Sequence, residues 1–272
     1  MASFDEVGFL SDDLEGWQTA ARELFAGPFE FAGRANEMGM RMRKAFDLNE
    51  LREEVKWAIA GFVRALGAFQ GGILMASRGA LPEARALARL CTESVIVTAG
   101  LAKVEGTLER LREDDAAHDL GVCNRVLELN GNDAGDERLE IFRRRKAEIE
   151  AQYDRPRSLK LATLAHESDL TLLYELSYRF TSGNGAHATL GAFVRHMREG
   201  IDGEPDAYFF GPDTSDMAST LLCANAAAIH LINLAVDSMG LGEFNAERGD
   251  LTLHWNILRP DLEAASAAEG LD

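Results

Sequence analysis

The chain reads as an all-α protein, a multi-helix bundle with at most minor short strands near its C-terminal third. Two observations predict that class. Apolar residues recur at helical spacing along most of the 272 residues, and only 6 prolines interrupt a chain rich in Ala, Leu, Glu and Arg. A composition of 46% hydrophobic and 27% charged residues is that of an ordinary globular protein with a sizeable core. One helical domain over residues 1–260 is the expected organisation, with a subdivision allowed near 130–136, and the acidic, Ala-rich stretch 261–272 is expected to be a mobile tail.

Taken in order, Ser11 with Asp12, Asp13 and Glu15 signals a first helix whose apolar stripe is Leu14, Trp17, Ala21, Leu24 and Phe25, ended by Gly27 and Pro28. A second helix follows over 29–46. A third covers 49–77, with Val55, Ile59, Phe62, Leu66, Phe69 and Ile73 on one face and Gly71 and Gly72 as a weak point. Pro82 suits the first turn of a fourth helix, which passes through the almost uncharged residues 94–102. Another helix spans 102–129, and the glycine-bearing loop 130–136 is the clearest interruption.

Leu139, Phe142, Ile149 and Tyr153 then share a helical face that stops at Pro156. A continuous helical run is predicted from Ser158 through Leu172, Leu173, Leu176 and Phe180 to the glycines at 183 and 185. Residues 207–210 and 251–257 have the aromatic or alternating character of short strands or extended loops. The stretch 217–236 has no Asp, Glu, Lys or Arg and is long enough to span a bilayer, but Ser219, Asn225, His230 and Asn233 lie within it and acidic residues flank it. It is expected to be a central core helix, with no membrane contact.

A net charge of -17 disfavours general coating of nucleic acid or of anionic lipid. Cys91, Cys123 and Cys223, odd in number and far apart, read as reduced core thiols of a cytoplasmic protein. The first ten residues contain Asp5 and Glu6 and lack the pattern of a secretory signal. No cofactor is expected: a phosphate-binding GxxxxGK[ST] loop is missing, and Gly183, Gly185 and Ala188 follow no strand. No metal site is expected either, because Asp114 and His118 sit in a charge run with no second ligand pair.

The segment YELSYRFTSGNGAHAT at 174–189 gathers hydroxyls, a guanidinium, an amide and an imidazole where a helix breaks. Tyr174, Tyr178 and Ser182 recur every four residues, and the glycines let the chain turn His187 back toward them. Histidine moves protons near neutral pH, and arginine holds phosphate bidentately. Arg179, His187, Ser182 and Tyr178 are therefore the candidate catalytic residues. Glu175 and Arg179 also form a helical ion pair, and tyrosines pack in cores, so a structural role stands beside the functional one. Arg85, Arg89 and Glu93 lie at four-residue intervals, either as an intrahelical ion pair or as a charged row entering the bundle. Arg143, Arg144 and Arg145, with Lys146, form a cationic run between 138 and 160, where eight cationic side chains face four anionic ones. Arg89, Glu93 and this run are the candidate binding residues, the run being either a solvated face or an RNA footprint.

Arg89-x-x-x-Glu93, followed by Tyr174-x-x-x-Tyr178-Arg179-x-x-Ser182 and His187-Ala-Thr, resembles a large bacterial domain-of-unknown-function family of helical proteins over about residues 81–192. That family is loosely similar to HEPN domains, helical bundles that often dimerise and whose active members cut RNA without a metal. The resemblance implies a homodimer acting on RNA in stress or defence, with Arg179 and His187 as the catalytic pair. Active members have four to six residues between arginine and histidine, whereas seven, 180–186, lie between them here. The alternative is a non-catalytic interaction module, its polar cluster structural and its acidic surface meeting a protein partner.

Overall fold

The computed structural model describes residues 3–49, 51–131, 136–179, 181, 188–200 and 204–269. The order is α1 (Phe4–Val7), α2 (Glu15–Leu24), α3 (Ala26–Ala45), α4 (Glu53–Ser77), α5 (Leu81–Lys103), α6 (Thr107–Leu129), α7 (Glu140–Gln152), α8 (Leu161–Glu167) and α9 (Thr171–Leu173). A π-helical turn (Tyr174–Arg179), α10 (Leu190–Val194), β1 (Met197–Glu199), β2 (Pro205–Tyr208), α11 (Met217–Ser238) and α12 (Asn245–Glu269) follow. The architecture is all-α with one small antiparallel two-stranded sheet among the described residues, in which Met197 pairs with Tyr208.

Two helices organise the core. Helix α11 is buried along most of its length and packs against α3, α4, α5 and α12, as the lack of Asp, Glu, Lys and Arg over 217–236 requires. Its Asn225 is fully buried and donates from Nδ2 to the Pro28 carbonyl at 3.1 Å. Helices α4 and α5 form an antiparallel pair in close contact, in which Gly72 lies against the backbone of Ala84 and Ala88. Small side chains let the backbones approach closely, and at Gly61 an added Cβ would collide with the Thr98 hydroxyl. The α4–α5 corner depends on Gly79, whose φ of +72° is left-handed and whose carbonyl accepts from the Asp213 amide at 3.2 Å. All three cysteines are buried and free.

Several boundaries differ from the sequence expectation. Gly27 and Pro28 begin α3 instead of ending α2, because proline needs no amide partner in a first turn. Ser11 does not cap α2; its hydroxyl accepts from the Asp13 amide at 3.0 Å in a turn just before it. The run predicted from Ser158 to Phe180 is broken after α8, where Asp169 takes φ 62°, the one left-handed non-glycine residue among those described. The Leu170 amide then reaches back to the Ala165 carbonyl at 2.7 Å, the signature of a helix C-cap. Residues 251–257 are not extended. They belong to α12, where Leu251, Trp255 and Leu262 are buried at helical spacing. The stretch after Pro260, expected as a tail, is helical through Glu269, and Glu269 accepts from the Ala218 and Ser219 amides at 2.7 and 2.9 Å. A carboxylate at those unsatisfied donors caps α11 from the far end of the chain.

An added methyl at Gly79 would sit 2.7 Å from the Asp213 nitrogen and 2.8 Å from Pro212 Cα, both backbone atoms that cannot swing aside. Gly79→Ala is expected to lower unfolding free energy by about 1 to 3 kcal/mol in urea titration.

Candidate functional site

Helix α5 carries Arg85, Arg89 and Glu93 on one row, and each points at a different partner. Four residues on a helix of 3.6 per turn advance the direction by about 40° per step, so the row winds outward: side-chain exposure rises from 3% at Arg85 to 21% at Arg89 and 38% at Glu93. Arg85 enters the bundle and pairs with Asp216 at 3.0 Å. The same carboxylate oxygen receives Arg195, which also lies 3.7 Å from Asp213. Burial lowers the pKa of both guanidiniums, Arg195 further through the like charge of Arg85, while Glu269 pulls each back up.

One turn along, Arg89 lies over the Tyr178 ring, 4.3 Å from its centroid, and Nη2 donates to the Tyr178 hydroxyl at 2.5 Å. Tyr178 stacks on Tyr174 with centroids 5.1 Å apart and planes 18° from parallel. Glu93 is 3.6 Å from Arg89. The site is thus a layered stack of two phenol rings and a guanidinium, half-buried at the junction of α5 with the π-turn. Burial raises the Tyr178 pKa, with Arg89 partly opposing, so the phenol stays neutral near neutral pH and serves as a hydrogen-bonding group.

The π-turn that presents Tyr178 has a local cause. The Thr181 hydroxyl donates to the Ser177 carbonyl at 2.5 Å and also reaches the Tyr178 carbonyl at 3.3 Å, while Ser177 itself is buried. Side-chain competition for backbone acceptors favours an irregular turn, and such widened turns are frequent at functional sites.

The candidate residues are distributed unevenly. Arg89, Glu93, Tyr174 and Tyr178 meet, and both sequence readings of the α5 row hold together, since Arg89 pairs with Glu93 and also orders a group from another element. Arg179 is 65% exposed and paired with Glu175 at 3.0 Å. Ser182 and His187 lie outside the described residues, as does Phe180. Arg143, Arg144 and Arg145 sit on α7, which packs against α6, and pair with Glu140, Glu148 and Asp119; Lys146 pairs with Glu150. That is a solvated face laced with acids. Asp114 accepts from the Leu159 amide at 2.8 Å, and Glu113 from that of Arg157 at 3.0 Å, so these acids pin the 157–159 segment to α6. Among the described residues no group of three His, Cys, Asp or Glu side chains is placed to hold a metal. Asp216 and Arg195 were not singled out from sequence. The available signal was that a buried Arg85 requires an acid, and Asp216 immediately precedes the charge-free stretch 217–236 of α11.

Fold and site together define a helical bundle with a cation–aromatic stack at a π-turn. The chain belongs to a family of unknown function (DUF5677), which matches residues 55–205, from α4 to the small sheet. No curated protein and no solved structure matches it.

Replacing Asp216 by Asn removes the charge that answers a nearly sealed guanidinium. Asp216→Asn is expected to cost about 3 to 5 kcal/mol, measured by chemical denaturation, and Arg85→Met in the same background should recover much of that loss.

Proposed function

We propose that this protein is a HEPN-like protein that acts on RNA, with the α5–π-turn junction as its site. The observation that carries the reading is the stack of Tyr174, Tyr178 and Arg89. Aromatic faces and guanidinium planes are the groups on which unpaired bases stack, and a half-buried arginine holds phosphate more strongly than one in bulk water. Arg179, exposed on the same turn, stabilises the charge that builds on a phosphate in the transition state. His187 moves the proton between the ribose 2′-hydroxyl and the leaving 5′-oxygen as the 2′-oxygen bonds to phosphorus. The products are a 2′,3′-cyclic phosphate and a 5′-hydroxyl, and no metal takes part. In this reading the protein works in the cytoplasm as a homodimer and does not enter the membrane. Two helices, Glu53–Ser77 and Met217–Ser238, are long and apolar enough to cross a bilayer, but the apolar window of α11 is 72% buried inside the fold, as a core helix is.

A second reading is favoured by a specific observation: Arg89 and Arg179 both have carboxylate partners on their own helical segments, Glu93 and Glu175. Such pairing suits a non-catalytic interaction module in which the polar cluster fixes helix packing and a protein partner meets the acidic surface.

One experiment separates them. Single-stranded RNA incubated with the full chain in a chelator is expected to be cut to cyclic-phosphate ends, and Arg179→Ala or His187→Ala should slow cutting by about 100-fold or more with unchanged melting. Intact RNA with the wild-type protein would falsify the nuclease step. A loss of about 1 to 3 kcal/mol in Tyr178→Phe, together with no effect of that substitution on RNA, establishes the structural network instead.

A further inference from the structure

A cavity of about 280 Å³ opens between the π-turn, α11 and α12. Leu173 and Leu176 form one wall, Leu222, Ala226 and Trp255 the other. At its mouth Leu172 is 68% and Leu176 59% exposed, although Trp255 behind them is almost fully buried. Apolar surface left against water costs about 25 cal/mol per Å², so a filled cavity is the more stable state.

We propose that this cavity is a binding site for a small, neutral, mostly apolar molecule carrying one hydrogen-bonding group, such as an aryl amine or a phenol. Three features select that class. The volume lies at the lower edge of the roughly 300 to 1,000 Å³ typical of small-molecule sites, and is too small for a helix of a partner protein. The charges at the rim answer one another, Arg259 standing 3.6 Å from Glu263, and Asp169 is solvent-exposed, so no unbalanced charge lies inside to hold an ion. The inner polar groups are Ser177, Cys223 and His230. The Cys223 thiol donates to the Leu176 carbonyl at 4.0 Å, whereas the His230 imidazole makes no hydrogen bond among the described residues. Burial, with Lys103 adding to it, lowers the His230 pKa. The ring is therefore neutral near neutral pH and offers one acceptor and one donor to a ligand.

The site does not depend on the RNA reading, although Leu176 and Ser177 belong to the same turn as Tyr178 and Arg179.

N-phenyl-1-naphthylamine, a neutral fluorophore of three aromatic rings with a single N–H, is a suitable probe for the full chain. Its emission is expected to rise saturably, with energy transfer from tryptophan that falls in Trp255→Phe. Ala226→Phe fills the cavity, and His230→Phe keeps a ring while removing the nitrogens. Weakening by about tenfold in either variant, with wild-type far-ultraviolet circular dichroism, supports the site. Absence of saturable binding to the wild-type chain, or wild-type affinity in both variants, overturns it.

Discussion

The guanidinium of Arg85 is almost completely withdrawn from water, and a cation at that depth is tolerated only with a counter-charge at hydrogen-bonding distance. Asp216 supplies it, and three further parts of the chain converge on the same place. Arg195 arrives from just beyond α10, Asp213 from the segment that bonds back to Gly79, and Glu269 from the end of α12, where it caps the amides that Asp216 leaves open. One buried charge therefore ties the N-terminus of α11 to α5 and to the far end of the chain. With α5 held at this point, the rotation of its row is set, and Arg89 one turn later has a single direction available, toward Tyr178.

The π-turn converts that direction into a site. In a regular α-helix the Tyr174–Arg179 segment would stack its turns at 3.6 residues and continue the stripe of Leu172, Leu173 and Leu176. Widened by Thr181 bonding to the Ser177 and Tyr178 carbonyls, it places Ser177 inward against α11 while Tyr174 and Tyr178 remain stacked at the junction with α5. Leu172 and Leu176 beside it are incompletely covered, so the cation–aromatic stack and the apolar cavity meet at one distorted turn.

Helix identity was legible because apolar periodicity is a local property: α4, α5, α7 and α11 lie close to where their stripes place them. The row of Arg85, Arg89 and Glu93 was legible as a candidate for the same reason. What could not be read depends on contacts distant in sequence. Residues 251–257 have a strand-like alternation, and only packing of Leu251, Trp255 and Leu262 against the core makes them helical. Acidic, Ala-rich residues after Pro260 look like a tail until Leu262 is buried and Glu269 meets the amides of α11. Proline in mid-helix gives up one backbone hydrogen bond, and tertiary contacts offset it. Arg195 and Asp216 carry no local pattern at all. Their signal is the unanswered charge of Arg85, which asks for an acid without saying where it comes from.

The distribution of charge constrains how such a molecule meets a polyanion. With a net charge of -17, and with the cations at 143–146 each matched to an acid, it presents no broad positive field that would gather RNA from a distance. Salt limits that repulsion to about 8 Å at physiological ionic strength, so short-range contacts decide. At short range the half-buried Arg89 acts in a medium less polar than water, and Tyr174 and Tyr178 add stacking that ignores net charge. In the proposed RNA reading, recognition by this surface would rest on stacking and one or two phosphate contacts. Under the proposed action on RNA, such a site would favour unpaired nucleotides that can be splayed into the junction over duplexes, whose bases already stack on each other.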